Sequence, residues 1–303
     1  MENNNKVLVV DLDGTLINTD LLLESFWGLL KLNIFYIFLI PFWLFKGKAN
    51  LKFEIAKRVD IDVSVLPYNQ KVLKYLEVEL KNKSVILATA SNEKFAKQIS
   101  EHLGLFDQFI GSNQTINLSN KNKLEAVDNL IRNKSYTYLG NSTDDISIWQ
   151  HCKSAVLVNA SSKVTKRVLS LDINIVNEFK APKTTLKVWI KALRIHQWVK
   201  NLLIFVPLML MEQSITLEHF VLALVAFFAF GLCASSVYLL NDLLDLEDDR
   251  HHKTKKNRPL ANGSLSLLKG TLMFPILLFS SFTIAFISLS IEFVGVLAFY
   301  YIL

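Results

Sequence analysis

The sequence predicts two differently built halves: an α/β parallel sheet interrupted by an apolar helical cap, followed by an all-α transmembrane segment. Three observations carry this. Short continuous apolar runs, Val7 to Val10, Ser84 to Ala88 and Ser135 to Leu139, each end in a polar loop, the pattern of strands covered on both faces. The stretch from Phe26 to Phe45 is almost uncharged. Past Asn177, basic residues at helical spacing give way to long apolar runs. The 303 residues are 51% hydrophobic with a mean hydropathy of +0.31, high for a soluble enzyme, and the apolar mass sits late in the chain.

The first element is the run KVLVVDLDGTLINTD, Lys6 to Asp20. Asp11 emerges at the carboxyl edge of the first strand, where open α/β sheets bind ligands. Residues two apart in an extended segment point the same way, so Asp11 and Asp13 face a common site. Gly14 allows a sharp turn, and Thr15 offers a hydroxyl. One carboxylate can attack phosphorus while the other shuttles a proton, and a divalent cation makes their crowding tolerable. An Asp-rich turn after a strand is the plainer alternative, but the rest of the chain supplies partners.

The second strand, SVILA, runs into Thr89, Ala90, Ser91 and Asn92. These small polar groups can bind a phosphate oxygen, or simply cap the helix EKFAKQIS. Lys123 opens the helical pattern KLEAVDNLI, and the third strand leads into Gly140, Asn141, Ser142, Thr143, Asp144 and Asp145. The order is strand-DxDGT, strand-Thr, Lys, strand-GNSTDD.

In that order the motifs resemble those of the haloacid dehalogenase superfamily of phosphatases, over residues 6 to about 160. The resemblance implies a Rossmann-like sheet, Asp11 as a nucleophile forming an aspartyl-phosphate, and Asp13 as general acid/base. It further implies that Thr89 and Lys123 hold the phosphoryl group, with Ser91 and Asn92 near it, and that Asp144 and Asp145 join Asp11 and Asp13 in binding Mg²⁺. The family often has an acidic residue after the glycine of the fourth motif; Asn141 stands there instead, which implies weaker metal binding.

The long interval between the first two motifs, about 18 to 82, reads as a cap inserted over the site. Within it, FWGLLKLNIFYIFLIPFWLF carries one charge, Lys31, and is followed by Lys46 and Lys48. Its length approaches a membrane span, but Lys31, Asn33 and Pro41 interrupt it. A single crossing would put the first strand and the later ones on opposite sides of a bilayer. A helix or hairpin lying in the membrane interface therefore fits better.

The domain boundary is expected at 178/179. Lys180, Lys183, Lys187, Lys191 and Arg194 recur at helical spacing beside Leu186, Trp189, Ile190 and Leu193, which predicts a basic interfacial helix on an anionic membrane. Apolar segments follow at Leu202 to Met211, Phe220 to Leu240, Leu272 to Leu289 and Ile291 to Leu303. The linker EQSITLEH has no Lys or Arg, whereas Asn241 to Lys269 is crowded with them. The positive-inside rule therefore predicts a multi-pass protein of the cell (inner) membrane with its amino-terminal domain cytoplasmic. The polar start MENNNK gives no cleavable leader, and two cysteines, Cys152 and Cys233, give no disulfide framework.

The loop after the second apolar segment reads NDLLDLEDDRHHKTKKNRPLANG. Asp242, Asp245 and Asp249 fall on one helical face beside Asn241, and Arg250, Lys253, Lys255, Lys256 and Arg258 follow. Carboxylates that hold metal next to cations that hold phosphate would bind Mg²⁺-diphosphate. This loop resembles the first aspartate-rich motif of UbiA-type intramembrane prenyltransferases. The entry segment KALRIHQWVKNLLIFVPLML resembles the branch that includes decaprenyl-phosphate phosphoribosyltransferase. Lys253 stands where a proline is common. The resemblance implies that Asn241, Asp242, Asp245 and Asp249 bind Mg²⁺ and that Arg194, Lys200, Lys255 and Arg258 contact phosphates. It implies polyprenyl phosphate and phosphoribosyl diphosphate as partners, within the lipid bilayer.

That family has further helices and a second aspartate-rich motif, while this chain stops inside FVGVLAFYYIL. The expectation is an incomplete UbiA-type bundle, inactive as a transferase on its own. Together the two resemblances imply a fragment of a bifunctional membrane enzyme, a Mg²⁺-dependent phosphomonoester hydrolase joined to a UbiA-type transferase of a phosphoribosyl or prenyl group. Beside it stand two other readings: an amino-terminal domain that only docks or regulates, and a membrane domain that prenylates an aromatic ring. The net charge of +6 calls for no nucleic-acid partner, since the basic residues cluster at membrane-facing positions.

Overall fold

The computed structural model describes residues 6–131, 135–182, 184–210 and 215–302. The chain divides into two compact units, Met1–Lys183 and Thr184–Leu303. Of the residues singled out above, Lys183, Met211 and Leu303 lie outside the described ones, as does most of the polar start.

In the first unit the elements run β1 (Lys6–Val10), α1 (Leu21–Leu32), α2 (Ile40–Phe45), α3 (Lys48–Ala56), α4 (Gln70–Glu79), β2 (Lys83–Asn92) and α5 (Glu93–Leu103). They continue with β3 (Gln108–Ser112), α6 (Asn120–Leu130), β4 (Tyr136–Gly140), α7 (Ile146–His151), β5 (Ser154–Val158), α8 (Ser162–Leu169) and β6 (Ile175–Phe179). The six strands form one sheet of order β3-β2-β1-β4-β5-β6, and every pairing is parallel. This is the Rossmann-like layering expected. β1 sits centrally, in register with β2 (Val10 opposite Leu87) and β4 (Val10 opposite Leu139).

Alternate residues of the strands feed two separate cores. Leu8, Val10, Val85 and Leu87 pack on one face with Phe95 and Ile99 of α5. Val9, Ile86 and Ala88 pack on the other with Val127, Tyr138 and Trp149. With both faces covered, the strand ends are the exposed edge available for chemistry.

The insertion between β1 and β2 splits in two. Helix α4 packs on the sheet through Val72 and Leu76. The lobe of α1 to α3 has its own small core of Leu29, Trp43, Leu51, Ile55 and Val59. The cap lobe is thus narrower than residues 18 to 82, because α4 spends its apolar face on the sheet.

The second unit comprises α9 (Leu186–Ala192), α10 (Val206–Met209), α11 (Leu217–Leu244), α12 (Leu246–His251), α13 (Leu267–Ser288) and α14 (Ile291–Ile302). α11 and α13 are long and apolar enough to cross a membrane; α14 is apolar but shorter. They pack around Ala229, Cys233, Ala285 and Leu297, with the Ser281 hydroxyl donating to the Ala229 carbonyl at 2.6 Å. The basic helix is shorter than its sequence pattern and ends where Arg194 turns left-handed, φ 50°. The short apolar segment from Leu202 does not continue the basic helix as α-helix: Ile195–Phe205 is 3₁₀ helix, followed by the four residues of α10 with Pro207 in its first turn.

Candidate functional site

Five acidic side chains, Asp11, Asp13, Asp20, Asp144 and Asp145, and two lysines, Lys52 and Lys123, line one cavity of about 270 Å³ at the carboxyl edge of the sheet. Asp11 continues β1, its backbone N–H donating to the Leu139 carbonyl at 3.0 Å. Its carboxylate accepts a 2.7 Å bond from the Lys123 ammonium and a 3.3 Å bond from the Thr15 hydroxyl. Lys123, only 5% exposed, also donates to the Tyr138 hydroxyl at 3.1 Å and lies 3.6 Å from Asp145. Tyr138 donates to Asp145 at 2.7 Å, and the backbone N–H groups of Asn141 and Ser142 each donate to its other oxygen at 3.0 Å.

Asp13 accepts from the Ser91 hydroxyl at 2.6 Å, from Thr89 at 3.3 Å and from the Leu21 backbone N–H at 2.8 Å. The chain turns away directly after Asp13 because Gly14 has φ +75°; a Cβ there would sit 2.0 Å from the Asn141 amide nitrogen. Asn141 closes that turn by donating to the Asp13 carbonyl at 3.1 Å.

The electrostatics follow from burial. Burial pushes the Asp11 carboxyl up to about 6, against the lowering pull of Lys123. Burial and the charge of Asp20 push Asp13 up to about 7. Burial alone would lower Lys123, but Asp11 and Asp145 outweigh it and raise it. Burial lowers Lys52, partly offset by Asp13 and Asp20.

The structure thus gathers Asp11, Asp13, Ser91, Lys123, Asp144 and Asp145 around one cavity. Thr89 is fully buried beneath it, bonded to Asp13 and to the Ser91 backbone N–H, and Ser91 takes the wall position. Asn92 is a correction: it lines a different cavity, because its side-chain oxygen is spent capping α5 at the Lys94 N–H. Three residues outside the expected set belong to the cavity's machinery. Tyr138 joins Lys123 to Asp145, Asp20 adds acidity, and Lys52 donates to the Ala90 carbonyl at 2.5 Å and to Asn117 at 2.7 Å. A tyrosine in a strand interior and a lysine in a distant helix carry no sequence signal for such roles.

Among the described residues no three His, Cys, Asp or Glu side chains already form a closed metal cage. The donor set nonetheless fits a hard divalent cation. Five carboxylates face two ammonium groups, and the upward pKa directions of Asp11 and Asp13 come first from burial and then from neighbouring carboxylates, a cost to the charged forms that an oxygen-liganded cation would offset.

In the second unit Arg258 donates to both oxygens of Asp249, at 2.8 and 2.6 Å, and to Asp242 at 3.1 Å. Arg194 donates to Asp242 at 2.5 Å and lies over the Tyr238 ring at 4.5 Å. Asp242 and Asp249 are nearly inaccessible, so one guanidinium bridges the two carboxylates one expects on a shared face. Asp245 stands at the break between α11 and α12. Asn241, Lys200 and Lys255 are exposed.

Residues 202–303 match the sequence model of the UbiA prenyltransferase family. That UbiA-type stretch contains the bridged aspartates. Decaprenyl-phosphate phosphoribosyltransferase of Mycolicibacterium smegmatis is 45% identical over 86 residues, 27% of this chain and 27% of that protein. The uncharacterized protein y4nM of Sinorhizobium fredii is 35% identical over 275 residues, 88% of this chain and 51% of its own length, a match long enough to include both units. The chain therefore spans about half the length of that relative and about a quarter of the phosphoribosyltransferase. Among solved structures, a substrate-bound phosphoserine phosphatase aligns with a TM-score of 0.42 at 11% identity, covering 59% of this chain and 94% of that one. A hydrolase of the same superfamily as the motif resemblance, from Salmonella enterica serovar Typhi, aligns at 0.43 and 13%, covering 58% and 67%.

Proposed function

We propose that the amino-terminal unit is a Mg²⁺-dependent phosphomonoester hydrolase joined to a UbiA-type segment that serves polyprenyl-phosphate chemistry at the cytoplasmic face of the cell membrane. The observation that carries the hydrolase reading is the Lys123 ammonium bonded to Asp11 within a cavity that also holds Asp13 and Ser91. Asp11 is the nucleophile: its carboxylate oxygen bonds to phosphorus while the leaving alkoxide departs with a proton from Asp13. A water deprotonated by Asp13 then cleaves the aspartyl-phosphate. Lys123 orients Asp11 and offsets phosphate charge, and the Ser91 hydroxyl positions Asp13. Asp11, Asp13 and Asp145, with Asp144 at the rim, would hold Mg²⁺, which supplies charge neutralisation for an anionic substrate entering an acidic cavity.

In the UbiA-type segment, Asp242, Asp245, Asp249 and Asn241 would hold the Mg²⁺ of a diphosphate donor, and Arg194, Lys200, Lys255 and Arg258 its phosphates. Phosphoribosyl diphosphate and a polyprenyl phosphate are the donor and acceptor this reading favours, on the 45% identity above.

The test is turnover by the purified full chain in detergent. Magnesium-dependent release of phosphate from phosphosugars, cut at least about 10³-fold by Asp11→Asn, supports the hydrolase. Absence of turnover on every phosphomonoester tried favours a docking or regulatory unit. Membranes containing the protein, supplied with labelled phosphoribosyl diphosphate plus polyprenyl phosphate or with prenyl diphosphate plus an aromatic acid, separate the two transfer readings.

A further inference from the structure

Between Glu24 and Glu54 the only charged residues are Lys31, Lys46, Lys48 and Lys52. That stretch builds the lobe of α1 to α3, whose two sides differ sharply. Inward, Trp43 is buried with Leu29, Leu51 and Ile55, with Tyr36 at 6.2 Å and the Arg58 guanidinium 4.7 Å from its ring. Outward, Phe35, Phe38, Phe42 and Phe45 are 69, 68, 69 and 94% exposed. The lobe is therefore folded around its own tryptophan while presenting a contiguous phenylalanine face, a surface that monomeric soluble domains rarely leave uncovered.

The chemistry of that face selects its partner. Ile34–Phe45 is apolar and helical but too short to span: about twelve residues rise ~18 Å, against ~30 Å of hydrocarbon. Aromatic apolar residues rimmed by Lys31, Lys46 and Lys48, with no acidic residue among them, match a bilayer interface, where rings enter the acyl boundary and ammonium groups meet anionic headgroups. The same chain carries α11 and α13, each of membrane-crossing length, so a bilayer is a partner supplied by covalent continuity.

The lobe also touches the cavity. Lys48 opens α3, and Lys52, one turn further, reaches the cavity wall at the Ala90 carbonyl. A cavity of about 270 Å³ accommodates a phosphorylated head group and has no room for a long hydrocarbon chain.

We propose that the phenylalanine face of the cap lobe seats the amino-terminal unit on an anionic bilayer, so that the adjacent cavity acts on a phosphomonoester whose hydrocarbon chain stays in the membrane. The membrane seat stands on the exposed face itself; the substrate class rests on the hydrolase reading above.

The seat is tested in the full chain with Cys152→Ser and Cys233→Ala, a single label at Phe42→Cys or, as control, Lys163→Cys, in vesicles of phosphatidylcholine with about 30% phosphatidylglycerol. The label at 42 is quenched by nitroxide lipids at least about threefold more than the control and is shielded from aqueous iodide. Iodide quenching at 42 equal to that at 163 overturns the seat. So does shielding that vanishes in nanodiscs holding one protein each, which would mean a second copy covers the lobe. For the substrate, Phe38→Asp with Phe42→Asp lowers turnover of a polyprenyl-linked phosphomonoester in vesicles about tenfold or more and leaves p-nitrophenyl phosphate turnover unchanged. Equal loss on both overturns the lipid-linked substrate. A wild-type protein that hydrolyses neither defeats the hydrolase reading and with it the substrate class, while the quenching result still decides the seat.

Discussion

Replacing Lys123 by methionine removes the ammonium that faces two buried carboxylates while keeping the length of the aliphatic stem. Lys123 lies 2.7 Å from Asp11 and 3.6 Å from Asp145, and all three side chains are almost wholly inaccessible. Breaking a buried pair by deleting one partner costs about 3–5 kcal/mol, because the remaining charge is left without compensation. For a unit of this size each kcal/mol is worth about 2–4 °C, so the unfolding midpoint of this unit falls by roughly 6–20 °C at pH 7.5 in EDTA. The sign of the pH dependence is fixed by Asp11, whose carboxyl is already pushed up to about 6 from 3.8 by burial. A folded-state pKa above the unfolded one means the folded protein binds more protons between the two values, so stability falls as pH rises through that window. Losing Lys123 removes the lowering influence and widens the window, so the deficit of Lys123→Met shrinks as the pH drops toward 5. The assay is thermal unfolding of the full chain followed by circular dichroism, with the amino-terminal transition assigned by its response to the substitution. A deficit under about 1 kcal/mol at pH 7.5, or one that grows on acidification, would refute the charge argument.

Arg258→Leu strands Asp249, leaves Asp242 with Arg194, and lowers the detergent-phase unfolding midpoint of the helical unit; adding Asp249→Leu recovers part of the loss, as replacing a buried pair does, and a double variant worse than the single contradicts this. Gly231→Val drives a Cβ to 2.7 Å from the Trp198 ring, costs about 1–3 kcal/mol by overpacking, and shifts Trp198 fluorescence; unchanged emission and midpoint refute the contact. Burial pushes the Cys152 thiol up to about 11 from 9.0, so at pH 8 its thiolate fraction is about 100-fold below that of an unperturbed thiol. Alkylation of folded Cys233→Ala protein at pH 8 should accordingly run at least about tenfold slower than after denaturation, and equal rates count against the buried setting.

The central strands were legible because burial on both faces leaves mostly apolar residues: VLVV, SVILA and YTYL announce themselves, and the polar residues that follow mark the carboxyl edge that lines the cavity. The outer strands were harder to read. β3, QFIGS, is half exposed and β6, IVNEF, alternates, so neither forms a continuous run. That Asp11, Asp13, Lys123 and Asp145 gather at one cavity was readable from motif order together with the family resemblance, but the direction of a side chain was not. Thr89 and Ser91 lie two apart in β2, which continues to Asn92 with a bulge after Ala88, and the strand's extension decides which hydroxyl meets the cavity. The sequence left open whether the short apolar segment from Leu202 continues the basic helix; the residues before Pro207 wind as 3₁₀ helix, and Trp198, bonded to Ser235 at 3.0 Å and packed on Gly231, holds that segment against α11.

Each unit solves the same electrostatic problem with a different cation. In the sheet unit a lysine reaches Asp11 and Asp145 as a point charge, assisted by the Tyr138 hydroxyl; in the helical unit one guanidinium nitrogen of Arg258 is shared between both oxygens of Asp249 and one of Asp242. The difference follows from what must be released. An ammonium held by carboxylates and a phenol can stay in place while phosphate enters beside it, because its donors rotate. The single Arg258 nitrogen shared between Asp249 and Asp242 would have to give up those bonds before the two carboxylates could turn to a cation.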